Sequence, residues 1–106
     1  FQFVKGPENR NEPDWAAKIH IAVAPVYYHN YLLGEVVASQ LQRTIDYQIL
    51  DGAGVESTGY VNEPRVGNYL REKVFEPGAS LHWNELLTYA TGETLNPQYL
   101  VEQLHI

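Results

Sequence analysis

Residues 24–50, APVYYHNYLLGEVVASQLQRTIDYQIL, decide how the rest of the chain is read. The stretch has no breaker between Pro25 and Leu50 except Gly34, and its composition predicts one long helix over about 25–50. Pro25 suits the first turn, where a missing N–H costs nothing. At about 100° per residue, Tyr28, Tyr31, Leu32 and Glu35 fall on one side. Tyr27, Gly34, Val37, Ala38, Leu41 and Ile45 spread over the others. Apolar residues on most sides predict a helix enclosed by neighbours. Gly34, Ala38 and Ser39 are small enough to admit a second helix closely. Glycine there costs about 1 kcal/mol against alanine, so a packing reason for Gly34 is expected. Gln40, Gln42, Arg43 and Asp46 predict that the far end emerges toward solvent.

Working outward, residues 1–4 are a short apolar end and residues 5–13 a polar loop broken by Gly6, Pro7 and Pro13. Asp14 can cap a short helical turn through Lys18. Residues 19–23 (IHIAV) alternate only weakly and read as extended or irregular. On the other side, residues 51–62 form a connection rich in Gly and Ser. Pro64 opens a second helix over about 64–75, with Val66, Tyr69, Leu70, Val74 and Phe75 as its apolar face, and Glu76-Pro77-Gly78 stops it. Ser80 is the expected cap of a third helix over about 80–91. Its buried face would be Leu81, Trp83, Leu86, Leu87 and Ala90, with Gly92 just past its end. Asn96 is the expected cap of a fourth, about 97–104, with Pro97 at its first position and Tyr99, Leu100 and Leu104 facing inward. Trp15 and Trp83 read as core anchors, His29 and His82 as ordinary surface or packing residues. With no hairpin signal, no βαβ alternation and no internal repeat, the expected fold class is all-α.

Composition narrows the function classes. At 106 residues and 44% hydrophobic, the chain can fold as one domain but cannot build a large private core. The net charge of -6, from 13 acidic and 7 basic residues, argues against a nucleic-acid surface or an anionic membrane. No apolar run is long enough to span a bilayer. The absence of cysteine excludes a disulfide framework and a thiolate metal site. The N-terminus lacks signal-peptide order and an initiator methionine, and reads as the start of a piece cut from a longer polypeptide.

The chemistry-bearing residues are few. There is no His-Glu-x-x-His, no phosphate loop and no convincing Ser-His-Asp order. His20, His29, His82 and His105 include no pair at the i, i+4 spacing of helical zinc ligands, so no metal site is read from this chain. What remains is the group His20, Tyr27, Tyr28, Tyr31 and Glu35. Hydroxyls and an imidazole aimed at one point could stabilise a developing oxyanion. Tyrosines at helical spacing are more often core residues with a satisfied hydroxyl, and the residues alone leave both readings open.

The segment KIHIAVAPVYYHNYLLGEVVASQL (residues 18–41) resembles the catalytic domain of zinc metallopeptidases of the angiotensin-converting-enzyme type and of their thimet-oligopeptidase and oligoendopeptidase relatives. Those families carry a Lys-x-His-Ile segment, a loop to a proline, then a tyrosine-bearing helix. Here the same order is Lys18, His20, Ile21, Pro25, then Tyr27, Tyr28 and Tyr31. The tail from Arg71 to Leu104 is similar to the closing helices of such enzymes. The resemblance implies an all-α piece, residues 1–106, of the C-terminal part of a larger α-helical peptidase, with the zinc held by His-Glu-x-x-His and a later glutamate outside these residues. Zinc would act as a Lewis acid in the full-length enzyme. Tyr31 matches the tyrosine that donates to the oxyanion, and His20 the histidine that donates to a substrate carbonyl or to the same oxyanion. Tyr28, or Tyr27 because the spacing is one residue longer, matches the tyrosine that binds the peptide's C-terminal carboxylate, and Lys18 the lysine that pairs with it. Glu35 could orient Tyr31 or His20, or pair with an arginine elsewhere. Asn30 stands where the converting-enzyme pattern has an arginine, which counts against a dipeptide-releasing mode and any chloride dependence. Peptides and the rest of the catalytic domain are the implied partners. The alternative is a small acidic α-helical interaction module without catalysis. In either case a helix apolar all round, short of neighbours, favours self-association.

Overall fold

The computed structural model describes residues 8–24, 26–52 and 59–104, and every regular element among them is helical. In order they are a 3₁₀ turn at Asp14–Ala17, the single turn α1 (Ile19–Ala22), α2 (His29–Thr44), α3 (Pro64–Leu70), a second 3₁₀ turn at Gly78–Ser80, α4 (Trp83–Thr91) and α5 (Gln98–Gln103). The helix α2 runs on into a π-helical turn, Ile45–Ile49, and α3 into another, Arg71–Phe75. The all-α expectation holds. The expectations for residues 1–4, for the Gly6 and Pro7 breakers, for Pro25 and for the Trp15 side chain fall outside the described residues. The chain divides into two compact units, residues 1–30 and 31–106.

In the first unit, Ala16 donates to the Pro13 carbonyl (2.8 Å) and closes the 3₁₀ turn. Lys18 is extended (φ -73°, ψ 116°), and α1 follows it at once. Residues 19–23 are therefore a helical turn, not the extended segment their weak alternation suggests. The Ala22 and Val23 amides donate to Lys18 and Ile19 at 3.2 and 2.8 Å, a local closure that propensity alone does not forecast. The long helix starts later than residue 25. Val26 has φ 58°, a left-handed backbone that a β-branched residue rarely adopts and that no helix continues. Asn30 N–H then bonds the Tyr27 carbonyl (3.0 Å), so Tyr27 and Tyr28 lie in the turn leading into α2.

The second unit has its core where the π turn after α2 meets α3. Ile45, Leu50, Val66 and Tyr69 are buried together, with Leu41, Ile49 and Leu70 against them. Burying such side chains contributes about 1.5–3 kcal/mol each. Leu50 N–H closes the π turn on the Ile45 carbonyl (2.9 Å). Gly52 N–H, at φ 82°, returns to the Asp46 carbonyl (2.8 Å), which terminates the element. Arg65 ties the junction from α3 by donating to the Ile49 carbonyl and to Glu63, 3.2 Å each. The Tyr69 hydroxyl donates to the Ala90 carbonyl at 3.0 Å and so joins α4 to this core.

Burial along α2 runs opposite to expectation. The start is open, with Tyr31 56% and Leu32 63% exposed, whereas Gln40 is 0% exposed and Thr44 and Asp46 are buried; of the expected solvent-facing set, only Gln42 is exposed. The reason is the segment after α4. The Gln40 side-chain amide donates to Thr91 Oγ1 and to the Thr94 carbonyl, 3.0 Å each, and its oxygen accepts from Asn96 N–H at 2.9 Å. A polar residue is thus buried because a hydroxyl and backbone groups 51 to 56 positions away complete its hydrogen bonds. Gly34 is likewise not a point of close approach here: a methyl group built on it meets nothing within 4 Å. Ser39 does bring α5 in, through a hydroxyl 2.8 Å from Gln103 Oε1.

Local signals placed α3, α4 and α5 to within a few residues, with three corrections. The cap of α4 is His82, not Ser80, because the Glu85 carboxylate accepts the His82 backbone N–H (3.2 Å) and Ser80 belongs to the preceding 3₁₀ turn. Trp83 and Phe75, expected inside, are 50% and 69% exposed. Leu81 and Leu104 also face outward. Gly92 ends α4 in the left-handed region (φ 84°), its N–H on the Thr88 carbonyl. Asn96 accepts the Gln98 N–H at 3.0 Å, as a capping residue should.

Candidate functional site

Four of the five residues singled out for substrate chemistry lie in the first unit and are held by local structure. Lys18 is exposed at the entry to α1. His20, within α1, is half-buried. Its ring meets the Tyr28 ring edge to face, with centroids 5.3 Å apart and planes at 89°. This arrangement suits the ring quadrupoles and holds the imidazole against the turn that precedes α2. Tyr27 and Tyr28 remain 50% and 54% exposed. The chain between His20 and Tyr28 passes through the strained Val26, so the contact between these two rings coincides with a backbone that costs about 1–3 kcal/mol to maintain. Ile19, Val23 and Val26 are exposed around them.

Tyr31 opens the second unit, on the first turn of α2. It is 56% exposed, so the reading of it as a sealed core tyrosine fails. Its backbone is fixed by helical hydrogen bonding, which limits the hydroxyl to a few rotamers. His29 is exposed, as is Glu35. The structure therefore joins His20 to Tyr28 through their rings, keeps Tyr27 beside them in sequence, and leaves Tyr27, Tyr28 and Tyr31 each about half exposed. Among the described residues no group of three or more His, Asp or Glu is placed to hold a metal ion.

Burial pushes the Tyr69 hydroxyl above its usual range. Burial, then the charge and hydrogen bond of Asp46, do the same to Tyr60. The Glu93 hydrogen bond raises Tyr99 in spite of nearby Arg43. Tyr60 and Asp46 form a polar pair that sequence reasoning passed over. They are separated by a Gly-rich connection and share no periodicity, so only their hydroxyl–carboxylate contact, 3.2 Å, reveals them.

This helical chain, with half-exposed tyrosines where α2 starts, belongs by sequence comparison with metallopeptidases. Residues 22–106 match the family model of the carboxypeptidase Taq (M32) metallopeptidases, and the chain belongs to that family. No curated protein and no solved structure matches it. The matched span includes Tyr27, Tyr28 and Tyr31 and begins two residues after His20, so Lys18 and His20 lie just outside it. The family brings a metal requirement and peptide substrates with it. The narrower likeness to converting-enzyme and thimet-type peptidases does not follow from the match.

Proposed function

We propose that this chain is the substrate-side portion of a zinc-dependent peptidase domain, with the His-Glu-x-x-His ligands in another part of the polypeptide. The observation that carries this reading is the family match over residues 22–106, which spans a helix whose first turn presents Tyr31 to solvent. In this reading the Tyr31 hydroxyl donates to the scissile carbonyl oxygen as it gains negative charge. A donor on a preformed helix needs no reorganisation at that moment. The His20 imidazole donates to the same oxygen or to the neighbouring carbonyl, steadied by Tyr28. Lys18, with Tyr28 or Tyr27, binds the peptide's C-terminal carboxylate by a charge-assisted bond. Recognition of that terminus fits a carboxypeptidase, as the family's description has it. It also fits the release of a dipeptide, as in the converting-enzyme type, and the number of residues released depends on the distance from the carboxylate site to the scissile bond.

The test is a split of kinetic constants in the complete enzyme. Tyr31→Phe should lower kcat by about 10²–10³ with little change in KM, the signature of a donor used in the transition state. Lys18→Met should raise KM for peptides with a free C-terminus and leave amidated peptides unaffected. A Tyr31→Phe enzyme with undiminished kcat would remove the oxyanion role. An encoding reading frame with no His-Glu-x-x-His beyond these residues would remove the catalytic reading and favour an interaction module.

A further inference from the structure

Asp46 is a carboxylate with 9% of its surface exposed, at the start of the π turn that ends α2. Aspartate is rarely buried so far without an opposite charge. Among the described residues its side chain is met by one donor, the Tyr60 hydroxyl, on Oδ1 at 3.2 Å. An ionised carboxylate has about four acceptor positions. Residues 31–106 contain four lysine or arginine side chains, Arg43, Arg65, Arg71 and Lys73, and each is engaged elsewhere. Arg43 lies over the Tyr47 ring at 3.8 Å. Arg65 pairs with Glu63 and Asp51, Arg71 pairs with Glu72 and Glu76, and Lys73 lies over Tyr89 at 4.3 Å. The second unit thus encloses a carboxyl group and engages its cations with other partners.

Asp46 also lines a cavity of about 410 Å³. Ala38, Leu41 and Ile45 give it an apolar wall, and Gln42, Asp46 and Tyr60 its polar groups. The geometry points to a receptor for the guanidinium group of an arginine presented from outside residues 31–106. A guanidinium is planar, forks onto a carboxylate, and sheds water more readily than an ammonium, so it suits a slot that is part apolar and part acidic. The methylene stem would lie on Leu41 and Ile45, with Gln42, whose amide oxygen already accepts from Gln103 Nε2 at 3.3 Å, at the rim. The slot is not the proposed reaction site. Asp46 is fifteen residues along the helix from Tyr31, roughly 22 Å at the α-helical rise.

The probe is Nα-acetyl-arginine amide, added to the full chain and followed by backbone and side-chain NMR. Shifts should appear at Ala38, Gln42 and Tyr60 with a dissociation constant on the order of 1 mM, ordinary for a ligand of that size. The citrulline analogue keeps the shape and loses the charge, and should bind at least tenfold more weakly. Asp46→Asn should abolish the arginine effect while the Asn96 amide signal stays in place as a check on the fold. Equal shifts from arginine and citrulline, or none from either, overturn the assignment without needing the variant. In the complete enzyme the source of the arginine is then separable. A lower Tm for Asp46→Asn with unchanged KM places it on the protein. A raised KM confined to arginine-bearing peptides places it on the substrate. Neither change overturns the proposal there.

Discussion

Gln40 shows how one side chain can organise a fold. It is the most enclosed residue described, and it holds the Thr94 carbonyl and the Asn96 amide that shape the link from α4 to α5. Gln40→Leu keeps the volume but leaves both groups without a partner. Each such loss costs about 1–3 kcal/mol, so destabilisation of at least ~2 kcal/mol is expected in urea melts. A change within experimental error would mean that water completes those bonds. The tyrosines give a prediction in pH. Tyr69 and Tyr60 bind their protons more tightly when folded, above the ordinary value of 10.0. The unfolded chain therefore ionises first, so this stability is intact below about pH 10 and declines as pH rises through the folded values. Tm should fall as pH rises past the ordinary tyrosine pKa of about 10. Tyr69→Phe should start less stable, having lost the bond to Ala90, and should lose less Tm over that rise. A parallel decline in both proteins would assign the effect to other groups. Neither Gln40 nor Tyr69 advertises its role in the sequence: a buried amide looks like any surface glutamine until its partners, 51 to 56 residues away, are in place.

At the scale of the element, what could be read in advance was what is decided locally. Pro64 at the head of α3, Gly92 beyond α4 and Asn96 before α5 announce boundaries through backbone dihedrals and nearest-neighbour hydrogen bonds, and the structure keeps all three. His82 as a cap was not legible, since its role depends on Glu85 reaching back three residues and not on its own side-chain type. The start of α2 was misplaced for a similar reason: nothing in the composition signals that Val26 takes a left-handed backbone. The candidate site came from likeness more than from pattern. Resemblance picked out Lys18, His20, Tyr27, Tyr28 and Tyr31, and the edge-to-face contact of His20 with Tyr28 is a relation that no spacing displays. Gly34 gives the prediction at this scale. It sits inside α2 with open space where a Cβ would go. Gly34→Ala should stabilise the chain by about 0.5–1 kcal/mol in denaturant melts, because the helix gains propensity and nothing clashes. If the same change destabilises the complete enzyme, another element comes close at Gly34 there, and the small residue is kept for that contact.

At the scale of the whole chain, the apolar surface is left in a place a self-sufficient domain would cover. Tyr31 and Leu32 at the head of α2, and Phe75, Trp83 and Tyr89 around α4, are each half or more exposed. The cavity between α2 and α4 lined by Val37, Leu41, Val74, Trp83 and Leu86 is almost wholly apolar. Exposed apolar surface of this extent marks a contact with other protein, and in its absence drives association between copies. The chain alone should therefore show concentration-dependent sedimentation, and Leu32→Lys together with Phe75→Lys should shift it toward the monomer. The chemistry is expected to depend on other residues as well. With no three-residue ligand group among the described residues, zinc should bind the isolated chain without stoichiometry in calorimetry, and peptides should pass unhydrolysed. Stoichiometric, chelator-reversible zinc binding would require ligands within these 106 residues and would overturn the division of labour proposed above. Restoration of hydrolysis on adding a polypeptide that carries His-Glu-x-x-His, with loss of that activity in Tyr31→Phe, would tie the two halves of the reading to one reaction.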